Sequence, residues 1–354
     1  MDENLDKQMD CFWPENGLEI LGLCPICESM KRTKLYEGLK DRLFYCSPGE
    51  WTLWKCSNCG SAYIDPRPNK ETISLAYANY FTHESSPNTL KELGLWRWFR
   101  RSFANGYRNY FFKTNLHPSN FIGTILALFP SQRNTIESSL RNIDKKFSIS
   151  QKLLDIGCGN GDFLYSAKTT GREVTGVEID TEAASIARAK GLDVRTGDIS
   201  VLDSDKESFD IITLGHVIEH VHDPLSLLRK CYQLLKKNGY IWIDTPNIDS
   251  EGHRIYGLNW KDLDPPRHII LFSYESLRMA LRNAGFCNIQ DMSYRPLCKV
   301  FPKSEALFEG KRDATEANLK SASALCKQYI KMAEKLARKN PQARESITIK
   351  AWKY

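Results

Sequence analysis

With 354 residues, a formal net charge of +6, 42% hydrophobic and 26% charged side chains, the chain has the composition of a folded globular protein, long enough for a full α/β domain and one or two smaller pieces. The charge is too mild to demand a nucleic-acid partner, and the longest apolar run, 121–129, is far too short to cross a bilayer. The start Met1-Asp2-Glu3-Asn4 is acidic and polar rather than a secretion signal, so a cytoplasmic location is expected, and eleven cysteines, an odd number, argue against a pure disulfide framework.

Residues 1–20 show no clear period and are expected as a mobile or loosely docked arm. Cys24-Pro25-Ile26-Cys27 and Cys56-Ser57-Asn58-Cys59 follow, two C-x2-C knuckles with 28 residues between them. Such a set can place four thiolates around one tetrahedral zinc ion, which predicts a zinc ribbon over 21–65. Four cysteines leave no open coordination position, so the metal's role there is structural. Between the knuckles, 43–46 and 51–55 read as strands of a hairpin around Ser47-Pro48-Gly49, with Cys46 as a spare core residue. Asp65-Pro66-Arg67-Pro68 is a stiff link into a helical linker or cap over 66–150. Helices are expected there at 70–80, 90–112, 120–129 and 133–146, with a polar break at 82–88. In the second of these, Arg97, Arg100, Arg101 and Arg108 interleave with Trp96, Trp98, Phe99, Phe103 and Tyr107. That mixture suits nucleic acid or an acidic membrane face; an amphipathic helix whose aromatics pack inward is the preferred reading.

From 151 a regular alternation begins. Strands are expected at 152–156, 173–178, 192–195, 209–214 and 240–244, and helices at 161–170, 181–190 and 224–237. Small polar residues mark the joints, among them Gly171, Asp180 as an N-cap, Gly191, Asp223-Pro224 and Asn238-Gly239. A helix over 273–284, a sixth strand from 288, a long lysine-rich helix over 304–339 and an alternating strand over 346–352 complete the chain. This βαβ rhythm predicts a doubly wound α/β fold, a seven-stranded, mostly parallel sheet whose ligands lie beyond the C-terminal strand ends.

The most informative stretch is Leu153-Leu154-Asp155-Ile156-Gly157-Cys158-Gly159-Asn160-Gly161-Asp162. An apolar strand ends in an acid, a G-x-G-x-G turn follows, and a helix opens. Glu178 ends the next strand 23 positions after Asp155 and suits two ribose hydroxyls. Carboxylates flanking the glycines favour a ligand carrying a sulfonium and an ammonium over one carrying phosphates. The stretch resembles motif I of class I S-adenosylmethionine-dependent methyltransferases. That resemblance implies a cofactor site built from Asp155, Gly157, Cys158, Gly159, Gly161, Glu178 and Ile179. It adds Leu214, and it adds Asp198 and Ile199 as contacts of the adenine.

Past the fourth strand, His216, Glu219 and His220 are spaced to share one face of a helical turn. A histidine there could take the proton from an acceptor hydroxyl. His268, in Asp264-Pro265-Pro266-Arg267-His268, could return to this point. Glu219, His220 and His268 would then hold a divalent ion instead, an arrangement that resembles metal-dependent O-methyltransferases of ubiquinone synthesis and of small-RNA 3′ ends, with His216 in place of their first Glu. The segment 246–272 is expected as a lid loop, its Tyr256 and Trp260 suited to stacking on a ring. Over 20–295 the chain resembles bacterial class I methyltransferases that begin with a zinc ribbon and serve surface-polysaccharide or secondary-metabolite synthesis. The resemblance implies methyl transfer to the oxygen of a sugar or another small hydroxylated acceptor, a small molecule or glycan. Two alternatives stay open: an RNA ribose methyltransferase, and a non-catalytic zinc-ribbon binding protein.

Overall fold

Leu153, Leu154, Ile211, Ile212 and Leu214 are fully buried, as expected of parallel strands covered on both faces, which must be apolar on both sides. A computed structural model describes residues 12–77, 95–145, 151–294 and 299–354 of the chain. Residues 1–11 of the arm expected over 1–20, the polar break at 82–88 and the opening turn of the 90–112 helix lie outside the described residues; the rest of that arm is docked, with Trp13 buried and Leu18–Glu19 paired with Arg67–Pro68. The main sheet has seven strands. Their order is Cys287–Asp291, Ser346–Trp352, Leu235–Pro246, Phe209–Gly215, Lys152–Ile156, Glu173–Glu178 and Asp193–Thr196. The last four are parallel neighbours, with Leu153 opposite both Val174 and Ile211 and Thr175 opposite Asp193.

The chain divides into two compact units: one takes residues from 81–215, 230–242 and 350–354, the other from 1–80, 216–229 and 243–349. In the first unit, helix Thr181–Ala189 turns Ala183, Ala184 and Ala187 inward, and Asp180 caps it by accepting from the N–H groups of Glu182 and Ala183. Small side chains matter because the packing is close. A Cβ on Gly176 would come within 2.6 Å of Cys158 Sγ and of Leu164. The helical segment before the sheet is Leu95–Phe112, a 3-10 stretch Phe121–Leu128 and Pro130–Ser139. Its aromatics do not all pack inward. Tyr107 and Phe112 are buried, whereas Trp96, Trp98 and Phe99 are exposed.

In the second unit the cysteine-bearing module departs from the expected hairpin. Its sheet pairs Arg32–Leu39 with Trp51–Cys56, adds Ala62–Ile64, and takes Ile270–Leu271 from far along the chain as its fourth strand. Residues 43–46 are not a strand. The Asp41 carboxylate accepts from the N–H groups of Leu43, Phe44, Cys46 and Ser47 at 3.0–3.3 Å, and this winds the segment into a loop. Cys46 is buried, as expected of a core residue. The 246–272 segment is no open lid either. It contains helix Glu251–Tyr256 and two 3-10 turns, and Tyr256, Trp260, Leu263 and Leu271 share one apolar core with Trp51, Leu53 and Ile64. The expected 304–339 helix is two helices, Val300–Phe308 and Ala324–Lys339. Gly310, at φ +72°, ends the first, and the Ser323 hydroxyl caps the second by accepting from Cys326 N–H.

A buried ion cluster ties this unit together. Arg267, 0% exposed, donates to both oxygens of Asp41 at 2.8 and 2.9 Å, to both of Asp264 at 2.6 and 3.1 Å, and to the Ala76 carbonyl at 3.0 Å. Arg267→Ala strands two buried carboxylates. It is expected to cost about 3–5 kcal/mol of stability. Urea unfolding of the variant against the wild type measures this, and a loss below about 1 kcal/mol would contradict it.

Candidate functional site

Three neighbouring parallel strands end in Asp155/Ile156, Glu178 and Thr196, and the expected ligand loop lies beyond them within the first unit. Gly157, Gly159 and Gly161 all have positive φ, at +66°, +54° and +81°, so each needs the freedom of glycine. A Cβ on Gly159 would meet nothing within 4 Å, so the loop there faces open space. The Glu178 carboxylate accepts from Gly159 N–H at 2.7 Å and from Asp180 N–H at 2.9 Å. Each oxygen keeps a lone pair for a hydroxyl. Ile179 beside it is 76% exposed, an apolar face turned to solvent.

Asp155 is 0% exposed. Its Oδ1 accepts from Thr213 Oγ1 at 2.9 Å and from Arg141, whose guanidinium lies 4.0 Å from the Phe163 ring and 5.5 Å from that of Trp242. Burial raises its pKa despite the opposing pull of Arg141. Asp155 Oδ2 is buried with no hydrogen-bond partner among the described residues. A buried, unpaired carboxylate oxygen at a strand end is a place for a donor the chain does not itself supply. Cys158 is buried, its thiol pushed up to about 12 by burial and by Asp155 and Glu178, so it stays neutral. Asp198 is exposed and caps the turn Ile199–Leu202 through Ser200 N–H, with Ile199 half-buried next to it. Leu214 is fully buried, and its side chain serves the core of the sheet. Asp162 faces solvent and pairs with Lys190 at 2.6 Å.

The second unit carries the histidines. The expected helical turn is a short 3-10 turn, Ile218–His220, and His216 before it sits at φ +55°, a conformation rare for a non-glycine residue. His216 Nδ1 is 3.2 Å from Glu219 Oε1, and Thr245 Oγ1 donates to Glu219 Oε2 at 2.9 Å. His268 does return to this point. Its ring centre is 4.8 Å from that of His220, and Glu219, His220 and His268 can each offer a ligand atom with all three within 4.8 Å. His220 Nδ1 is 2.9 Å from the Arg267 carbonyl and His268 Nδ1 is 2.7 Å from the Asp262 carbonyl. A carbonyl only accepts, so each Nδ1 donates there, and Nε2 is the nitrogen left to ligate a metal. Tyr77 Oη also lies 3.0 Å from His220 Nδ1.

The charges follow from this packing. Burial, then His268, pushes His220 down to about 4, so it is neutral at physiological pH. Burial alone would raise Glu219, but the three histidines outweigh it and hold the carboxyl at about 2. For His216 burial acts downward, yet Glu219 and Asp244 outweigh it and raise the pKa.

The four knuckle cysteines also converge in this unit. Cys24 and Cys59 sulfurs are 3.6 Å apart, and those of Cys27 and Cys56 are 3.5 Å apart, far beyond a disulfide bond. All four lie within 4.8 Å of one another, and Ile26 and Asn58 N–H groups point at Cys24 and Cys56 at 3.4 Å. The Cys24 thiol is pulled down to about 5, chiefly by its hydrogen bond with Cys59. Sequence reasoning missed Arg141, Thr213, Thr245 and Asp41, each of which supports a group from a distant segment, and no local pattern marks such residues; Asp264 supports Arg267 three positions on, and nothing in the sequence marked that pairing.

A methyltransferase-domain family model matches residues 105–291, more than half of the chain. Among curated proteins, a ubiquinone biosynthesis O-methyltransferase of Marinobacter nauticus is 29% identical over 188 residues, 46% of this chain and 76% of that protein. One from Bordetella bronchiseptica is 29% identical over 204 residues, 53% of this chain and 82% of that one. Among solved structures, a SAM-dependent methyltransferase from Archaeoglobus fulgidus aligns with a TM-score of 0.43 and 24% identity, covering 66% of this chain and all of that one. The glycine turn between two acid-ended parallel strands and the family match agree: the chain belongs to the methyltransferase-domain family and is a class I S-adenosylmethionine-dependent methyltransferase.

Proposed function

We propose that this enzyme methylates the oxygen of a small hydroxylated acceptor, with a sugar as the leading candidate. The observation that carries the reading is the set Glu219, His220 and His268. Two imidazoles, each held at Nδ1 by a backbone carbonyl, plus one carboxylate make a donor set that fits a divalent cation. Such an ion lowers the pKa of a hydroxyl bound to it. His216 is half-exposed, and Glu219 and Asp244 stabilise its protonated form, so it suits the proton from the acceptor better than His220 does. His220 thereby moves from base to metal ligand. The curated relatives named above are O-methyltransferases, which supports the acceptor atom and leaves the acceptor's class to experiment.

On the cofactor side, Glu178 holds the ribose hydroxyls, Asp155 Oδ2 supplies the acceptor for a donor of the cofactor, and Gly157, Gly159 and Gly161 give the ligand room. The exposed Ile179 and half-buried Ile199 offer apolar contact to the adenine, with Asp198 near its amino group. The orphaned Asp155 oxygen and the open space at Gly159 are the features that fit this group. Cys24, Cys27, Cys56 and Cys59 hold a structural zinc ion, a four-thiolate set of the usual spacing.

The test uses purified protein, methyl-labelled S-adenosylmethionine and fractionated cell extract. Alkali-stable label in the glycan or small-molecule fraction is expected. Label in RNA would replace this reading by the ribose methyltransferase. With the labelled acceptor in hand, chelation by EDTA is expected to remove activity and added magnesium or manganese to restore it. His268→Ala should lose activity about 10–100-fold or more. EDTA-insensitive activity would eliminate the metal and leave His216 as the base.

A further inference from the structure

From 95 to 136 the chain carries six cationic side chains, Arg97, Arg100, Arg101, Arg108, Lys113 and Arg133, and no Asp or Glu. Within this stretch the helix Leu95–Phe112 and the 3-10 stretch Phe121–Leu128 form a hairpin whose polarity is inverted. Ser102 and Asn105 are buried between the arms, where Asn120 N–H donates to the Ser102 carbonyl at 3.0 Å and Asn105 Nδ2 to the Pro118 carbonyl at 2.9 Å. Tyr107 and Phe112 are buried, but most of the large apolar side chains face out. Phe121 is 82% exposed and Trp96 is 75% exposed, and Leu95, Trp98, Phe99, Ile122, Ile125, Leu128 and Phe129 are exposed as well. The arms are locked backbone to backbone. A Cβ on Gly106 would lie 1.8 Å from the Asn120 carbonyl oxygen, and one on Gly123 would lie 2.0 Å from that of Phe103. The outward side chains therefore belong to one rigid platform.

We infer that this hairpin docks the enzyme on an anionic lipid bilayer, lying in the interface without crossing it. Aliphatic and aromatic side chains enter the acyl boundary, and the arginines meet lipid phosphates. Charge and side-chain type favour this occupant over the others. Two copies meeting through this patch would bring Arg97, Arg100 and Arg101 against their equals, and residues 95–136 hold no acid to offset them. Nucleic acid would use the arginines and aromatics, but it has no use for exposed Leu95, Ile122, Ile125 and Leu128. A water-facing hairpin would turn its apolar side inward and its Ser and Asn outward.

Full-length protein is sedimented with vesicles of phosphatidylcholine alone and of equal parts phosphatidylcholine and phosphatidylglycerol. Strong partitioning onto the anionic vesicles is expected, weaker on the neutral ones, and falling as salt rises from about 0.1 to about 1 M. Arg100→Glu/Arg101→Glu should reduce it on the order of tenfold or more, and Trp96→Ser/Phe121→Ser by a similar factor. All four side chains are exposed, so folding is preserved, and binding of S-adenosylhomocysteine by each variant checks that. Failure to bind the anionic vesicles, or binding that ignores both variants, overturns the inference. So does retention on RNA, or a dimer that Trp96→Ser dissociates, when vesicle binding is absent.

Discussion

Stripping the metal from the Cys24/Cys27/Cys56/Cys59 cluster is expected to unfold the ribbon and, with it, the core that the ribbon shares. Its strands contribute Trp51, Leu53 and Ile64 to one apolar cluster with Trp260, Leu263 and Leu271, so the knuckles cannot open alone. Four thiols this close, two pairs at 3.5 and 3.6 Å, repel as thiolates and pack poorly as thiols unless a cation joins them. Structural zinc sites of this kind are worth on the order of 10 kcal/mol in apparent binding free energy, enough to exceed the stability of most domains. The expected results are one zinc ion per chain by elemental analysis, a cooperative loss of near-ultraviolet dichroism on adding a strong chelator, and recovery on adding zinc. Cys24→Ser and Cys59→Ser should each express poorly or melt far below the wild type. A protein purified without zinc and indifferent to chelator would refute the assignment.

Glu178→Ala is expected to weaken S-adenosylmethionine binding by about 10²–10⁴-fold. A hydrogen bond to a charged group contributes about 1.5–3 kcal/mol, and two ribose hydroxyls make two of them. The same carboxylate fixes the glycine loop through Gly159 N–H at 2.7 Å, so the alanine variant loses the loop's anchor as well as the ligand contact. Glu178→Gln keeps one acceptor oxygen and should fall between, about tenfold weaker. Calorimetric titration with S-adenosylhomocysteine measures both. Unchanged affinity in Glu178→Ala would refute the ribose assignment.

The two halves of the chain were unequally legible. Most of the α/β alternation after 151 could be read locally, because a strand covered on both faces must be apolar and its turns must be glycine or a capping acid, although 235–239, expected as helix end and turn, belong to the strand Leu235–Pro246. Lys152–Ile156, Glu173–Glu178 and Ser346–Trp352 stand where the pattern put them. Gly157, Gly159 and Gly161 could be read for the same local reason, since each adopts positive φ. The convergence of the knuckles was equally plain, because C-x2-C is a local spacing, and the four cysteines do meet within 4.8 Å.

Elsewhere the decisive contacts are long-range. Residues 43–46 look like a strand, and Asp41 winds them into a loop because Arg267, more than two hundred positions away, holds that carboxylate buried and ionised. The aromatics of 246–272 look like a lid, and they are core because the ribbon's sheet offered them an apolar face. Those of 95–101 look like an inward stripe, and they face solvent because Gly106 and Gly123 bring the hairpin arms too close to leave room for them between. What the sequence by itself determined is the sheet, the glycine loop with its paired acids, and the cysteine spacing, all properties of neighbouring residues. Which carbonyl fixes each histidine's tautomer, which oxygen of Asp155 stays unpaired, and which side of the hairpin meets water were decided by tertiary structure alone, because burial and hydrogen bonding belong to the whole fold and not to any one segment.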